Sequence, residues 1–289
     1  MKQNHDHLFE NRKYGRWSIL IRRGLPWEEA IKILSPEGNI SPDENIFTRV
    51  RSSGNAEVFL APCICSGLQV QVYFKHYLFR DKRFDFLKHL FRAGRGKRAL
   101  QATLMLLEHG FKAPEPLALL QKMHGPFATE NILLTRGVDN SVPLGARLKE
   151  LSAPQDPAAL REKRRLIYEF GSTIGRMHDQ SIIHGDLRLN NVLVQHTGKS
   201  PSFFFIDNES TRKYTITSSK LVKKNLVQIN MQRDGVSNTD RIRFMRAYNK
   251  ERNLSFEQIR VLSRLVVERT DQRLEKKLWK QKKDKLQSP

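Results

Sequence analysis

The chain has 289 residues, 39% of them hydrophobic, which is enough for a sizeable core in one large domain or two lobes. Lysine and arginine number 51 against 30 acids, a formal +21, so the sequence expects an anionic partner: nucleic acid, an anionic membrane surface or a phosphorylated substrate. Two cysteines, Cys63 and Cys65, exclude a disulfide framework and a zinc site, and their spacing points both to one face of a strand as small core residues. No run approaches the ~18 apolar residues of a spanning helix, and the start "MKQNHDHLFENRKYGRW" has no apolar signal-peptide core, so the expectation is a cytosolic protein able to touch a membrane.

In chain order, residues 47–79 read as strands broken at Ser52–Asn55 and at Ser66-Gly67, an antiparallel meander and a β-rich block. The stretch "GKRALQATLMLLEHGF" predicts a helix with Leu100, Leu104 and Leu107 at helical spacing, stopped by Gly110 ahead of Pro114 and Pro116. Residues 130–138 predict a buried strand running into a glycine turn. Asp156 then caps a helix with Pro157 at its first position, carried on by Leu160, Ile167, Ile174 and Met177. Downstream the chain reads as mostly helical. Ser255 and Gln258 form a capping box, and Ile259, Leu262, Val266, Leu274 and Leu278 make a stripe along a basic helix ending in "KKLWKQKKDKLQSP".

The chemistry concentrates in "IIHGDLRLNNVLV", residues 182–194, where a polar block sits between two apolar strand edges. An aspartate, an asparagine five residues later, an apolar strand, and a second strand ending in aspartate is the order used for phosphoryl transfer from ATP. Asp186 is placed to receive or orient the proton of an acceptor hydroxyl. Asn191 and Asp207 are hard oxygen ligands suited to Mg²⁺, and Arg188 can meet the moving phosphoryl group as a cation. His184 is read as packing and hydrogen-bonding near the loop. Upstream, Lys75 lies inside the apolar "VQVYFKHYLF", where an ammonium wants an anion such as the ATP phosphates; the alternative is a lysine on the solvent face of an edge strand. "RSSGNAEVF" can fold over phosphates through its backbone, with Gly54 as its single glycine.

These residues resemble a family. "HGDLRLNNVLV" with "FFFIDNES", the lysine in "VYFKHY", "LLEHGFKAPEPLAL" and "DRIRFMRAYNKE" look like the bacterial lipopolysaccharide core kinases, the 3-deoxy-D-manno-octulosonic acid (Kdo) and heptose kinases, which have a protein-kinase-like fold. The resemblance runs from about Val50 to Arg273. It implies ATP and Mg²⁺ as cofactors, a cytoplasmic site at the inner face of the inner membrane, and a sugar hydroxyl of the nascent core or a lipid-linked sugar as acceptor. By matching, it makes Asp186 the catalytic aspartate, Asn191 and Asp207 the metal ligands, Lys75 the nucleotide lysine, and Leu133 to Arg136, Thr135 among them, the hinge strand beside adenine. The chain departs from the family in the helix after the lysine strand: Ala99 and Gln101 stand where a glutamate is usual, and Glu108 lies nearer the helix end. Asn208, not phenylalanine, follows the metal aspartate, and Asn225 stands where relatives tend to have an aspartate.

The expected fold is α+β, protein-kinase-like and two-lobed: an extension over 1–45, a β-rich N-terminal lobe with hinge over 46–138, and a helical C-terminal lobe with its basic helix over 139–289. The basic charge gathers in Lys75 to Arg98, with nine cations and two acids, and from Arg241 onward, with fifteen cations and six acids. The aromatics Phe79, Phe84, Phe86 and Phe91 suit a membrane-leaning or core surface at least as well as nucleic acid, so nucleic acid is not favoured. Two rivals remain: a kinase-like enzyme acting on another small molecule or a protein, in the manner of aminoglycoside or RIO kinases, and a non-catalytic pseudokinase binding anionic lipid or RNA.

Overall fold

The structure, a computed structural model of the chain, describes residues 7–52, 54–78, 94–153, 156–197 and 200–286. The chain divides into two compact units, Met1–Asp139 and Asn140–Pro289.

The first unit is built on a seven-stranded antiparallel sheet. Its strands are β1 (Phe9–Tyr14), β2 (Trp17–Arg22), β3 (Thr48–Val50), β4 (Ala56–Cys65), β5 (Leu68–Tyr77), β6 (Pro116–His124) and β7 (Phe127–Arg136), in the order β1-β2-β6-β7-β5-β4-β3. The expected break at Ser66-Gly67 is a two-residue hairpin turn with both φ angles positive, 50° and 78°, which matches the right-handed twist of β4 and β5. One face of the sheet buries Trp17, Ile19, Phe59, Phe74, Ile132 and their neighbours beneath Ala30, Ile33 and Phe47. Cys63 and Cys65 are free thiols in that core, as their spacing indicated. The other face packs Tyr77, Leu119 and Leu133 against Ala99, Leu100 and Leu104 of helix α2 (Arg95–Glu108). Gly96 lets that helix lie close, since a Cβ there would stand 2.8 Å from Leu119 and 2.9 Å from Asn131.

Of residues 1–45, expected as an extension, the described ones from 7 onward supply β1, β2 and the short helix α1 (Trp27–Ile31), and so join the sheet and the layer over its first core. The pairing that joins them, β2 on β6, brings Trp17 opposite Lys122 across about a hundred residues of chain, and no local pattern can announce it. The buried strand expected over 130–138 begins earlier, at Phe127, because β6 extends it as a hairpin partner. The stop of α2 falls where expected: Gly110, at φ +77°, lets the Phe111 amide bond back to the Leu106 carbonyl at 2.9 Å. Phe79, Phe84, Phe86 and Phe91, with most of the basic stretch around them, lie outside the described residues.

The second unit is mainly helical. It contains β8 (Ser141–Pro143), α3 (Leu144–Glu150), α4 (Pro157–Asp179), β9 (Ile182–Ile183), β10 (Val192–Thr197), β11 (Ser200–Phe205), β12 (Arg212–Lys213), α5 (Ser219–Asn230), α6 (Asn238–Arg252) and α7 (Phe256–Leu286). Asp156 caps α4 as expected, accepting from the Ala158 and Ala159 amides at 2.9 and 3.2 Å. Ile167, Ile174 and Met177 are buried, whereas Leu160 in the first turn is exposed. Helices α4 and α6 meet backbone to backbone through Gly171 and Gly175, whose added Cβ atoms would stand 2.6 Å from the Phe244 carbonyl and 2.7 Å from that of Tyr248. The Ser255–Gln258 capping box forms in both directions. The stripe on α7 is buried at Val266, but Leu278 and Trp279 are exposed. A helix of 31 residues rises about 46 Å against about 18 Å for the 12 residues of α5, its main packing partner, so its end outruns the core.

Where α4 and α6 cross, His178 is fully enclosed, between the Tyr248 hydroxyl at 3.0 Å and the Asn225 side-chain oxygen at 3.2 Å. Burial pushes this imidazole down to about 4, the Asn225 hydrogen bond opposes that, and Arg252 nearby adds to it. The folded value lies below the unfolded one, so the unfolded chain takes up the proton first as pH falls; the stability is full above about pH 6.5 and is lost toward the folded value. His178 alone should cost about 2 kcal/mol between pH 7.5 and pH 5, measured by denaturant unfolding. His178→Gln, less stable at pH 7.5, should show a correspondingly smaller loss over the same interval.

Candidate active site

Between β9 and β10 the chain makes a loop, residues 184–191, that ends in one turn of 3-10 helix over Leu189–Asn191. His184 and Leu187 in it are buried, so the main-chain groups around them must find partners inside the protein. They come from α5. The Asn225 side-chain oxygen accepts from the His184 amide at 3.2 Å, the Gln228 side-chain oxygen accepts from the Leu187 amide at 3.1 Å, and the Gln228 amide nitrogen donates to the Gly185 carbonyl at 3.1 Å. Thr211 donates its hydroxyl to the His184 carbonyl at 3.1 Å. Gly185 is required: φ is +75°, and a Cβ would lie 2.5 Å from the Ser210 carbonyl.

The Asp186 carboxylate is held from three directions. Arg188 Nε and Gln228 Nε2 donate to Oδ1 at 2.9 and 3.1 Å, and Asn191 Nδ2 donates to Oδ2 at 3.2 Å and to the Asp186 carbonyl at 2.9 Å. Asp186 and Asn191 are therefore brought together, with the Asn191 nitrogen committed to the aspartate and its oxygen turned the other way. Arg188 pairs with Asp186 but is 65% exposed.

Asp207 follows the end of β11 in the left-handed conformation, φ 61° and ψ 41°, a sparsely populated state for a residue with a side chain. Three contacts tie this turn to the loop. The Ile206 amide donates to the Asn191 carbonyl at 3.0 Å, and His184 Nε2 lies 3.1 Å from both the Ile206 carbonyl and the Asn208 side-chain oxygen. Since both partners accept, Nε2 carries the hydrogen. Burial lowers the His184 pKa, keeping the ring neutral, so His184 links the two segments as the sequence indicated.

In the first unit, Lys75, Leu133 and Thr135 share the face of the sheet that carries α2: Lys75 is in register with Leu133 on β7, and Thr135 with Tyr73 of β5. Strand β5 lies between β4 and β7, which removes the edge-strand alternative for Lys75. The lysine is half-buried, its Nζ 5.2 Å from the centre of the Tyr77 ring, and Arg95 stands 5.1 Å from the same ring. Leu133 is buried. Gly54 lies in the turn between β3 and β4. On α2, Ala99 faces the sheet while Gln101 and Glu108 are exposed.

Sequence reasoning marked Asn225 but missed Gln228. Its signal is faint: a glutamine one helical turn after an asparagine, on the face of α5 that also buries Leu226 and Val227.

A family model described as the lipopolysaccharide kinase (Kdo/WaaP) family matches residues 67–248, well over half of the chain. No curated protein sequence matches it. Among solved structures, WaaP in complex with acyl carrier protein is similar over 81% of this chain and 90% of its own, with a TM-score of 0.59 at 17% identity, a likeness of fold. The Mycobacterium tuberculosis PknI kinase domain aligns over 65% of this chain and 69% of its own, with a TM-score of 0.39 at 12% identity. The α+β fold is thus kinase-like, and the match runs through β5, the loop at Asp186, the turn at Asp207 and helix α5. The chain is a phosphotransferase and belongs to the Kdo/WaaP lipopolysaccharide kinase family.

Proposed function

We propose that the protein transfers the γ-phosphoryl group of ATP to a sugar hydroxyl, on Kdo or heptose, in the inner core of lipopolysaccharide. The observation that carries this reading is the carboxylate of Asp186, oriented by donors on three residues and still 34% exposed to an incoming substrate. Asp186 orients the acceptor hydroxyl and takes its proton. Arg188 sits beside it as the cation that meets the transferring phosphoryl group.

A nucleotide and a divalent cation fit the residues present. Two hard oxygens, from Asn191 and Asp207, are the kind of partial set that suits Mg²⁺, whose remaining positions go to phosphate and water. When bound, the cation neutralises charge on the phosphates. Lys75 would hold the nucleotide phosphates, the turn at Gly54 would offer them main-chain donors, and Leu133 and Thr135 would hold the adenine.

The acceptor implies a surface. No helix among the described residues is long and apolar enough to cross a membrane. The end of α7 instead offers Lys276, Lys277, Lys280, Lys282 and Lys283 beside the exposed Leu278 and Trp279, a cationic and partly apolar segment suited to the inner face of the inner membrane.

Asp186→Asn should leave ATP binding intact and lower kcat by about 10²- to 10⁴-fold, checked by kinetics and by the phosphate content of core sugars in cells carrying the variant; turnover near the wild-type rate would remove Asp186 from the role. Asp207→Ala should weaken Mg·ATP binding itself, seen by titration, because it deletes a ligand. Changing Lys276, Lys277, Lys280 and Lys283 to Glu should weaken binding to vesicles of phosphatidylglycerol in phosphatidylethanolamine by about tenfold or more. The same change should spare activity on a delipidated core oligosaccharide.

A further inference from the structure

We propose that Gln228 is a positioning residue for phosphoryl transfer: it holds the Asp186 carboxylate in one orientation and occupies Oδ1, leaving Oδ2 as the oxygen that takes the proton of the acceptor hydroxyl. The inference rests on the reading of Asp186 as the base.

Main-chain groups dictate which way the Gln228 amide points. The Leu187 amide is a donor, so the atom it meets at 3.1 Å is the Gln228 oxygen. That oxygen also accepts from Asn225 Nδ2 at 3.2 Å, and Asn225 is oriented in turn by the His184 amide donating to its oxygen. The Gln228 nitrogen must then face the Gly185 carbonyl and Asp186 Oδ1, both at 3.1 Å. One of its two hydrogens satisfies the buried main chain. The other goes to a carboxylate that reaches solvent and could be hydrated without it, so the effect of that second bond is orientation.

The two carboxylate oxygens are occupied unequally. Oδ1 accepts from Arg188 at 2.9 Å and from Gln228 at 3.1 Å, which fills its two lone-pair positions. Oδ2 accepts once, from Asn191 at 3.2 Å, and keeps a lone pair. The Arg188 pair is 65% exposed on the arginine side and weakly held. Gln228 is buried, 4% exposed, and is the persistent donor at Oδ1. In the transfer, the hydroxyl proton passes to Oδ2, the hydroxyl oxygen bonds to the γ-phosphorus, and the bond from that phosphorus to the bridging oxygen breaks, its electrons leaving on ADP. A glutamine can orient the base from inside the protein without adding a charge that would change its basicity.

The test uses Gln228→Glu and Gln228→Met in the full chain, with ATP and dephosphorylated core oligosaccharide as substrates. The glutamate keeps the shape and the two acceptances but loses both donations; the methionine loses all four without adding charge. Either variant, folded by circular dichroism and binding ATP, should lose about 10- to 100-fold in kcat while KM for ATP changes less than threefold. An unchanged kcat in a folded variant overturns the inference, as does a fall in ATP affinity that parallels the fall in rate. Asp186→Asn separates the two readings. If it is active, the catalytic assignment has failed whatever Gln228 does; if it is inactive and Gln228→Glu keeps its kcat, the positioning role alone has failed.

Discussion

The loop at Asp186 has inward-facing main-chain polar groups that must be answered, and two carboxamides on one helix answer three of them. Asn225 and Gln228, one turn apart on α5, hold the His184 amide, the Gly185 carbonyl and the Leu187 amide, and through Gln228 the Asp186 side chain. Both anchors are neutral and buried. A charged anchor there would bring a desolvation cost that its partners would have to offset, whereas neutral amides satisfy the loop without placing a further ion beside the Asp186–Arg188 pair. The network continues from Asn225 to His178 and Tyr248, so the packing of α4 on α6 reaches the loop through hydrogen bonds of fixed direction.

The lysine strand answers a different constraint. A lysine in an interior strand has fewer ways to water than one on an edge strand, and here it lies half-buried along Tyr77 on the face that α2 packs against. The first core occupies the other face, under residues 25–47. The side chains of Lys75, Leu133 and Thr135 stand on one side of β5 and β7, the side opposite that first core.

Charge acts on a longer scale. The formal +21 is spread over the chain, but the described structure collects a dense part of it on α7 beyond the last buried positions, where the helix has no core left to cover. A helix free of packing duties can take a composition set by what it meets, and five lysines around an exposed tryptophan and leucine suit an anionic, partly apolar surface.

The loop from Asp186 to Asn191, set between two strands, was legible because its signal is local: the spacing from Asp186 to Asn191 and the strand leading to Asp207 lie within a single hairpin and its approach. Caps and turns were legible for the same reason, since Asp156, Ser66-Gly67, Gly110 and Ser255 with Gln258 each act on main chain within a few residues. What the tertiary structure alone decided involves partners distant in sequence. The pairing of β2 with β6, which takes β1 and β2 into the sheet, the central place of β5, and the reach of Gln228 back across forty-two residues to Asp186 depend on chain segments whose meeting no local pattern encodes. Periodicity also overstated the apolar stripe of α7, for a sequence shows which face of a helix can be buried, but only the fold shows where the core ends.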